Sequence, residues 1–334
     1  MDPRHSAIDQ WLALQTDFGR AANTIKAYSH SLRDYQRFCT HQNIPLETAS
    51  REHVARYVRN LLDRPIAADR TGEGTSQAGL ARATIRQRLT AVRLFYEYLI
   101  EEGLRTTNPV GRGSRLGHRS RQGAKAMVPA HHTLPWIPGD EDWQRLLVEA
   151  RTLSLRNRLM LALAYDAGLR REELCRLNTG DIDPARRFLQ IRAETTKGNR
   201  GRVVPYSACT GQLLHHYLAQ RRGLTTSRGP LFISESPRTK GQPITLWTWS
   251  KVIRGLGDAV SLPRFSTHTL RHLCLTDLAR SGWELHEIAT FAGHRNTATT
   301  LIYIHLSGRD LAAKLASASS VHEARLAHIT ESWR

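Results

Sequence analysis

The residues of this chain best suited to chemistry stand in a definite order. Arg170 closes a Gly-Leu-Arg triplet that starts at Gly168. His268 and Arg271 lie in His-Thr-Leu-Arg-His, His294 follows Gly293, and Tyr303 lies in Thr-Thr-Leu-Ile-Tyr-Ile-His. Two arginines, two histidines and one tyrosine suit an attack on a phosphodiester. Arginine offers a planar fork that matches phosphate oxygens and never loses its charge. Two of them can neutralise the dianion that develops at pentacoordinate phosphorus. A tyrosine nucleophile must lose a proton held with a pKa of ~10. Neighbouring arginines and histidines lower that barrier, by charge or by taking the proton. The resulting phosphotyrosine link keeps the bond energy, so the reverse attack needs neither ATP nor a metal.

Each signal also has a plainer reading. His268 and Arg271 are three apart and share a face on a helix that Ser266 or Thr267 can cap. A helix N-terminus favours an anion, and a His and an Arg there make a phosphate site. Alone, the same pair reads as a helix-start His and a salt-bridged Arg. His272 lies one turn from His268, which raises zinc binding, but Thr269 stands where a zincin would place Glu. Gly-Leu-Arg is a common helix-turn triplet, with Glu173 one turn on and able to hold Arg170. Lys197, in Thr-Lys-Gly-Asn-Arg-Gly, is either an ordinary exposed turn lysine or a general acid that protonates the leaving oxygen. Tyr303, flanked by Leu301, Ile302 and Ile304, reads as core or as nucleophile.

Composition favours a polyanionic partner. Lys and Arg total 48 against 30 acidic residues, for a formal charge of +18 over 334 residues. A basic ribosomal or membrane-surface protein is the other reading of that charge. The length suits two domains. The cysteines, Cys39, Cys175, Cys209 and Cys274, form no CxxC pair, which fits a reducing cytoplasm and indicates no metal ribbon. The N-terminus lacks the apolar run of a signal peptide, and the apolar stretch near Met160 to Tyr165 is too short to span a bilayer. The expected location is cytoplasmic or nucleoid-associated.

The elements that must position these groups are mostly helical. Trp11, Leu12, Leu14 and Phe18 have helical spacing. A second helix carries Ile25, Tyr28, Leu32, Tyr35 and Phe38 on one stripe, with Asn23 as N-cap. A third carries Val54, Tyr57, Val58 and Leu61. A fourth turns Ile85, Leu89, Val92, Phe95, Tyr96 and Leu99 inward, leaving Arg82, Arg86, Arg88 and Arg93 mostly off the stripe for solvent or phosphate. Residues 65–79 read as a loop. Residues 111–138, rich in Gly, Pro, Ser and Arg, read as a basic linker that either follows a DNA backbone or simply solubilises. From Asp140 helices resume, and Gly168 is a helix C′ glycine. A hairpin is expected from Phe188 to Val204, with Phe188, Gln190-Ile191 and Ala193 in alternation, and a short strand at Leu231 to Ser234. Four helices follow. The fold class is mainly α with a small antiparallel β-sheet.

In this order and spacing, GLRREEL, TTKGNRGRVVP, HTLRH and FAGHRNTATTLIY resemble the tyrosine recombinase family, the phage integrases and Xer-like enzymes. The likeness covers nearly all of residues 140–310. The N-terminal helices, TIKAYSHSLRDYQRF above all, look like that family's SAM-like core-binding domain. The resemblance implies a core-binding domain at 1–110, a linker at 111–138, a catalytic domain at 139–310 and a tail at 311–334 that docks on a neighbouring protomer. It implies that Arg170 and Arg271 clamp the scissile phosphate and that His294 hydrogen-bonds it. His268 would assist proton transfer, Lys197 would protonate the 5′ oxygen, Tyr303 would form a 3′-phosphotyrosyl link, and Glu173 would support. It further implies duplex DNA with inverted half-sites, a homotetramer on two sites, room for a second recombinase or accessory protein, and no cofactor or metal. The segments 65–79 and 111–138 are longer than a minimal Xer-like enzyme needs, and no additional arm-binding domain is expected before the first helix. A catalytically silent DNA-binding regulator on the same scaffold and a type IB topoisomerase-like enzyme are the competing functions. The intact set of six chemical residues disfavours the first, and the single small N-terminal domain disfavours the second.

Overall fold

A computed structural model describes residues 6–64, 79–110, 128, 134–196 and 198–306. Lys197, most of the segments expected as loop (65–79) and linker (111–138), and the tail from 307 on lie outside the described residues. The chain divides into two compact units, Met1–His132 and Thr133–Arg334, each with its own hydrophobic core.

The first unit is built from α1 (Ala7–Asp17), α2 (Ala22–His41), α3 (Arg51–Asp63) and α4 (Arg82–Glu101). Ser6 caps α1 by accepting the Asp9 N–H, and Ser50 with His53 forms a reciprocal cap on α3. The apolar stripes meet as expected: Leu32, Tyr35, Val54, Tyr57, Leu61, Ile85, Val92, Phe95 and Tyr96 are fully buried. The Tyr35 and Tyr96 hydroxyls meet at 3.0 Å, so both rings bury without orphaning a polar atom. Three details differ from expectation. The N-cap of α2 is Ala21, not Asn23, and Phe18 follows α1 as an exposed C-cap. Arg88 is not on an outer face but buried against Asp34, which also accepts from the Tyr57 hydroxyl and Arg64. Burial raises the Asp34 carboxyl, but the hydrogen bonds from Arg64 and Tyr57 and the Arg88 charge outweigh it and hold the pKa at about 2.

The second unit runs through α5 (Asp140–Glu149), α6 (Leu155–Asp166), α7 (Arg171–Cys175), β1 (Ile182–Asp183), β2 (Phe188–Ile191), β3 (Arg202–Pro205) and α8 (Ala208–Arg222). It continues with α9 (Leu246–Ala259), α10 (Thr267–Arg280), α11 (Leu285–Ala292) and α12 (Leu301–Leu306). The three strands form one antiparallel sheet in the order β1-β2-β3, with Leu189 opposite Val204. Leu189, Ile191 and Val204 face the core, so of the residues named in the expected hairpin Ile191 and Val204 turn inward while Phe188 and Val203 are exposed. A 3₁₀ turn at Ala193–Thr195 interrupts the hairpin, and Leu231 to Ser234 contributes only a bridge between Ile233 and Pro243. The central helix α6 buries Leu159, Met160, Leu163 and Ala164, and packs against α8 and α10. Ser266 caps α10, accepting the Thr269 N–H. That start delivers His268, Arg271 and His272 from one rigid helix. Among the described residues no helix is long and apolar enough to cross a membrane.

Candidate active site

Two left-handed glycines shape the backbone of the site. Gly168 follows α6 with φ 56°, and Gly293 follows α11 with φ 63°. A residue with a Cβ would bear a cost of about 1–2 kcal/mol in this region. At Gly293 the added carbon would also lie 3.0 Å from Arg202 Nη1. These turns end two helices abruptly and leave their last carbonyls open to side-chain donors.

The C-terminus of α11 gathers the arginines. Arg271 Nη2 donates to Ala292 O at 2.6 Å, and its Nη1 donates to Gly168 O. Arg170 donates to Ala292 O and Gly293 O, both at 3.4 Å. Arg202 Nε donates to Phe291 O at 2.9 Å. Unpaired carbonyls carry the negative end of the helix dipole, so cations are favoured there. The second anchor is Glu173, fully buried on α7. Its carboxylate accepts from Arg170 Nη1 (2.8 Å), the Arg170 backbone N–H (3.0 Å), Arg202 Nη1 (3.1 Å) and Arg202 Nη2 (2.8 Å). Burial raises the Glu173 carboxyl, but the Arg202 hydrogen bonds and charge, with those of Arg170, hold it at about 2. Glu173 is therefore ionised and fixes two guanidinium groups that would otherwise repel.

Arg271 differs from Arg202. It is buried, yet its hydrogen bonds go to carbonyls and an imidazole rather than to a carboxylate. Burial and the neighbouring Arg170 charge lower its pKa to about 10, so it stays cationic at neutral pH. A buried cation without a contacting carboxylate, beside a second arginine, has the charge and the donors to hold an oxyanion.

The histidines are neutral at pH 7. Burial first, then the charges of Arg271, Arg170 and Arg202, lowers His294 to about 4. Arg271 Nη2 meets His294 Nε2 at 3.1 Å, and a guanidinium only donates, so Nε2 accepts. The ring proton then sits on Nδ1, which donates to Thr300 Oγ1 at 2.8 Å. His268 is exposed at the start of α10. Partial desolvation and the charges of Arg171, Arg271 and Arg170 push it below its ordinary value.

Tyr303, in the short helix α12, is buried against this group. Its ring stacks parallel to His294, with centroids 6.0 Å apart. Its hydroxyl lies 3.0 Å from His272 Nδ1. Burial raises the phenol, and the charges of Arg271 and Arg170 oppose that rise. Arg170, Glu173, Arg271, His294 and Tyr303 thus converge from α10, α12 and the ends of α6, α7 and α11, with His268 at the rim. Lys197 lies outside the described residues. Among the described residues no group of three or more His, Cys, Asp or Glu is placed to hold a metal ion.

The sequence profile of the phage integrase family matches residues 139–309, and that of the phage integrase N-terminal SAM-like domain matches residues 8–103. The chain belongs to the phage integrase family. It is an enzyme of the tyrosine recombinase class. A tyrosine recombinase XerC from Mycobacterium sp. (strain KMS) is 28% identical over 310 residues, covering 90% of this chain and 93% of that protein. The XerC of Mycobacterium tuberculosis (strain ATCC 25177 / H37Ra) is 29% identical over the same coverage. Among solved structures, XerH site-specific recombinase bound to palindromic difH substrate in a post-cleavage complex superposes with TM-score 0.68 at 18% identity, covering 94% of this chain and 84% of that one. The Tn1549 transposon integrase in complex with circular intermediate DNA gives 0.66 at 16%, covering 89% and 94%. These two superpositions establish the recombinase fold.

Three residues of this recombinase's site escape a reading of sequence. His272 contacts the Tyr303 hydroxyl, Arg202 locks Glu173, and Thr300 fixes the His294 tautomer. For His272 the signal was present, one helical turn from His268. Arg202 and Thr300 carry no such signal, because a strand-start arginine and a threonine before a helix are ordinary on their own.

Proposed function

We propose that this recombinase cuts and rejoins DNA strands through a 3′-phosphotyrosyl intermediate on Tyr303, without metal or ATP. Arg170 and Arg271 clamp the scissile phosphate from two sides, and His294 hydrogen-bonds it through Nε2 once the phosphate replaces the Arg271 contact and the ring proton moves to that nitrogen. Lys197 protonates the departing 5′ oxygen, and His268, at the rim, assists proton movement. Glu173 holds Arg170 in place. The observation that carries this reading is the buried Arg271. It stays cationic with only neutral hydrogen-bond partners, one of them the His294 ring that stacks on the nucleophile candidate. Binding alone requires no such charge beside a buried tyrosine hydroxyl, which disfavours the silent regulator.

The first unit serves as the core-binding domain, residues 111–138 as a linker, and residues 311–334 as a tail that docks on a neighbour. The substrate is duplex DNA with inverted half-sites, engaged by four protomers on two sites, in the cytoplasm. The high formal charge supports a DNA partner. A nicked suicide duplex tests the chemistry. Incubated in EDTA and run on a denaturing gel, the wild-type protein should carry a covalent DNA adduct, and Tyr303→Phe should carry none while still binding duplex. An adduct that survives Tyr303→Phe, or that disappears with EDTA, overturns the proposal.

A further inference from the structure

We infer that His272, rather than His268, is the catalytic group that receives the Tyr303 proton during strand cleavage. This rests on the phosphotyrosyl reading above. The geometry is direct: His272 Nδ1 lies 3.0 Å from the Tyr303 hydroxyl oxygen, a hydrogen-bond distance, and the two rings are tilted by 38° with centroids 5.7 Å apart. His268 lies one helical turn before His272, with ring centroids 6.5 Å apart, at the exposed start of α10. In the neutral tautomer that carries its hydrogen on Nε2, His272 Nδ1 accepts the phenol hydrogen across this contact. Burial, with the charges of His268 and Arg271, lowers His272 to about 4, so at neutral pH its ring is uncharged and able to accept.

The step balances without a further reactant. As the Tyr303 oxygen bonds to phosphorus, the bond from phosphorus to the 5′ oxygen breaks. That oxygen leaves with the electron pair and takes a proton from the general acid. The phenol proton passes to His272 Nδ1, and the imidazolium faces the dianionic phosphorus centre formed at that moment. In rejoining, the DNA hydroxyl attacks and gives its proton back to the group that served as general acid, while His272 returns its proton to the departing phenolate. The helix holds the acceptor in place: Thr276 Oγ1 donates to His272 O at 2.8 Å, one turn on in the buried α10.

The test uses full-length protein and nicked duplexes chosen by the wild-type protein from a pool with a randomised central segment. Single-turnover adduct formation is followed for wild type, Tyr303→Phe, His268→Ala, His272→Ala and His272→Asn. Asn keeps an acceptor near the Nδ1 position but cannot take a proton. His272→Ala should lose about 10²–10⁴-fold, the range of a positioned proton acceptor, and more than His268→Ala loses. His272→Asn should stay slow with duplex binding intact, and added imidazole should speed His272→Ala. A bridging 5′-sulfur substrate, whose leaving group needs no proton, should leave His272→Ala slow. The assignment is overturned if His272→Asn cleaves at the wild-type rate, which makes the contact positional only. It is also overturned if the sulfur substrate restores His272→Ala, which makes His272 the acid, or if His268→Ala shows the larger loss. An adduct persisting in Tyr303→Phe would instead sink the phosphotyrosyl reading itself.

Discussion

Glu173→Ala separates what holds the site together from what performs its chemistry. The carboxylate is fully buried and accepts four hydrogen bonds from Arg170 and Arg202. Removing it leaves the Arg202 guanidinium, only 8% exposed, without its counter-charge. Breaking a buried ion pair by deleting one partner costs about 3–5 kcal/mol. Arg170 is 27% exposed and water reaches it, so its share is screened and the total falls near the lower end of that range. For a unit of this size each kcal/mol shifts Tm by about 2–4 °C, which places the expected fall at about 6–12 °C. Thermal unfolding followed by circular dichroism measures it. The double variant Glu173→Leu with Arg202→Met replaces the pair by apolar groups and should recover much of that stability. It should not recover cleavage, because Arg170 has still lost the carboxylate that aims it. A Glu173→Ala protein that melts with the wild type, or a double variant that regains full cleavage, would refute this reasoning.

Three further outcomes follow from the geometry. Arg170→Ala and Arg271→Ala should each lower cleavage by at least ~10²-fold in single-turnover assays, the scale of one preorganised charge donor. Near-wild-type rates would remove the clamp. Gly293→Ala should destabilise by about 1–2 kcal/mol in thermal melts, since its backbone is left-handed. Cleavage should fall with it, because the added carbon meets Arg202. Acid should weaken the second unit. His272 and His294 have folded pKa values of about 4, below their ordinary 6.5, so the unfolded chain binds more protons between those values. Stability is full above about 6.5 and is lost as pH falls toward 4, by about 2–4 kcal/mol for the two together after allowing for partial exposure. A His272→Gln, His294→Gln protein should melt with a flatter pH profile over that window, and an unchanged slope would contradict the assignment.

The helices were legible because the stripes of α2 and α4 are long and strictly periodic, and the burial of Tyr35, Phe95 and Tyr96 follows them. The sheet was less legible. Phe188 and Val203 are as apolar as Leu189 and Val204, so alternation alone did not show which set faces inward, and Leu231 to Ser234 reads as a strand although it buries without pairing beyond one bridge. Arg88 shows a different limit. Its place beside three other arginines read as off the stripe hid a long-range partner, Asp34, on another helix. In the site, Arg170, Arg271, His294 and Tyr303 were findable because each residue type suits phosphate chemistry by itself. Arg202 and Thr300 act only through contacts that the fold creates. His272 was noticed as a metal candidate, and only the position of α12 reveals its partner.

The most direct measurement is the identity of the amino acid that carries DNA. The adduct trapped on a nicked suicide duplex is digested with trypsin and nuclease, and the nucleotide-bearing peptide is sequenced by mass spectrometry. The nucleotide should sit on the phenol oxygen of Tyr303. DNA linked to a serine or to another tyrosine, or cleavage that leaves no covalent peptide, would contradict the account.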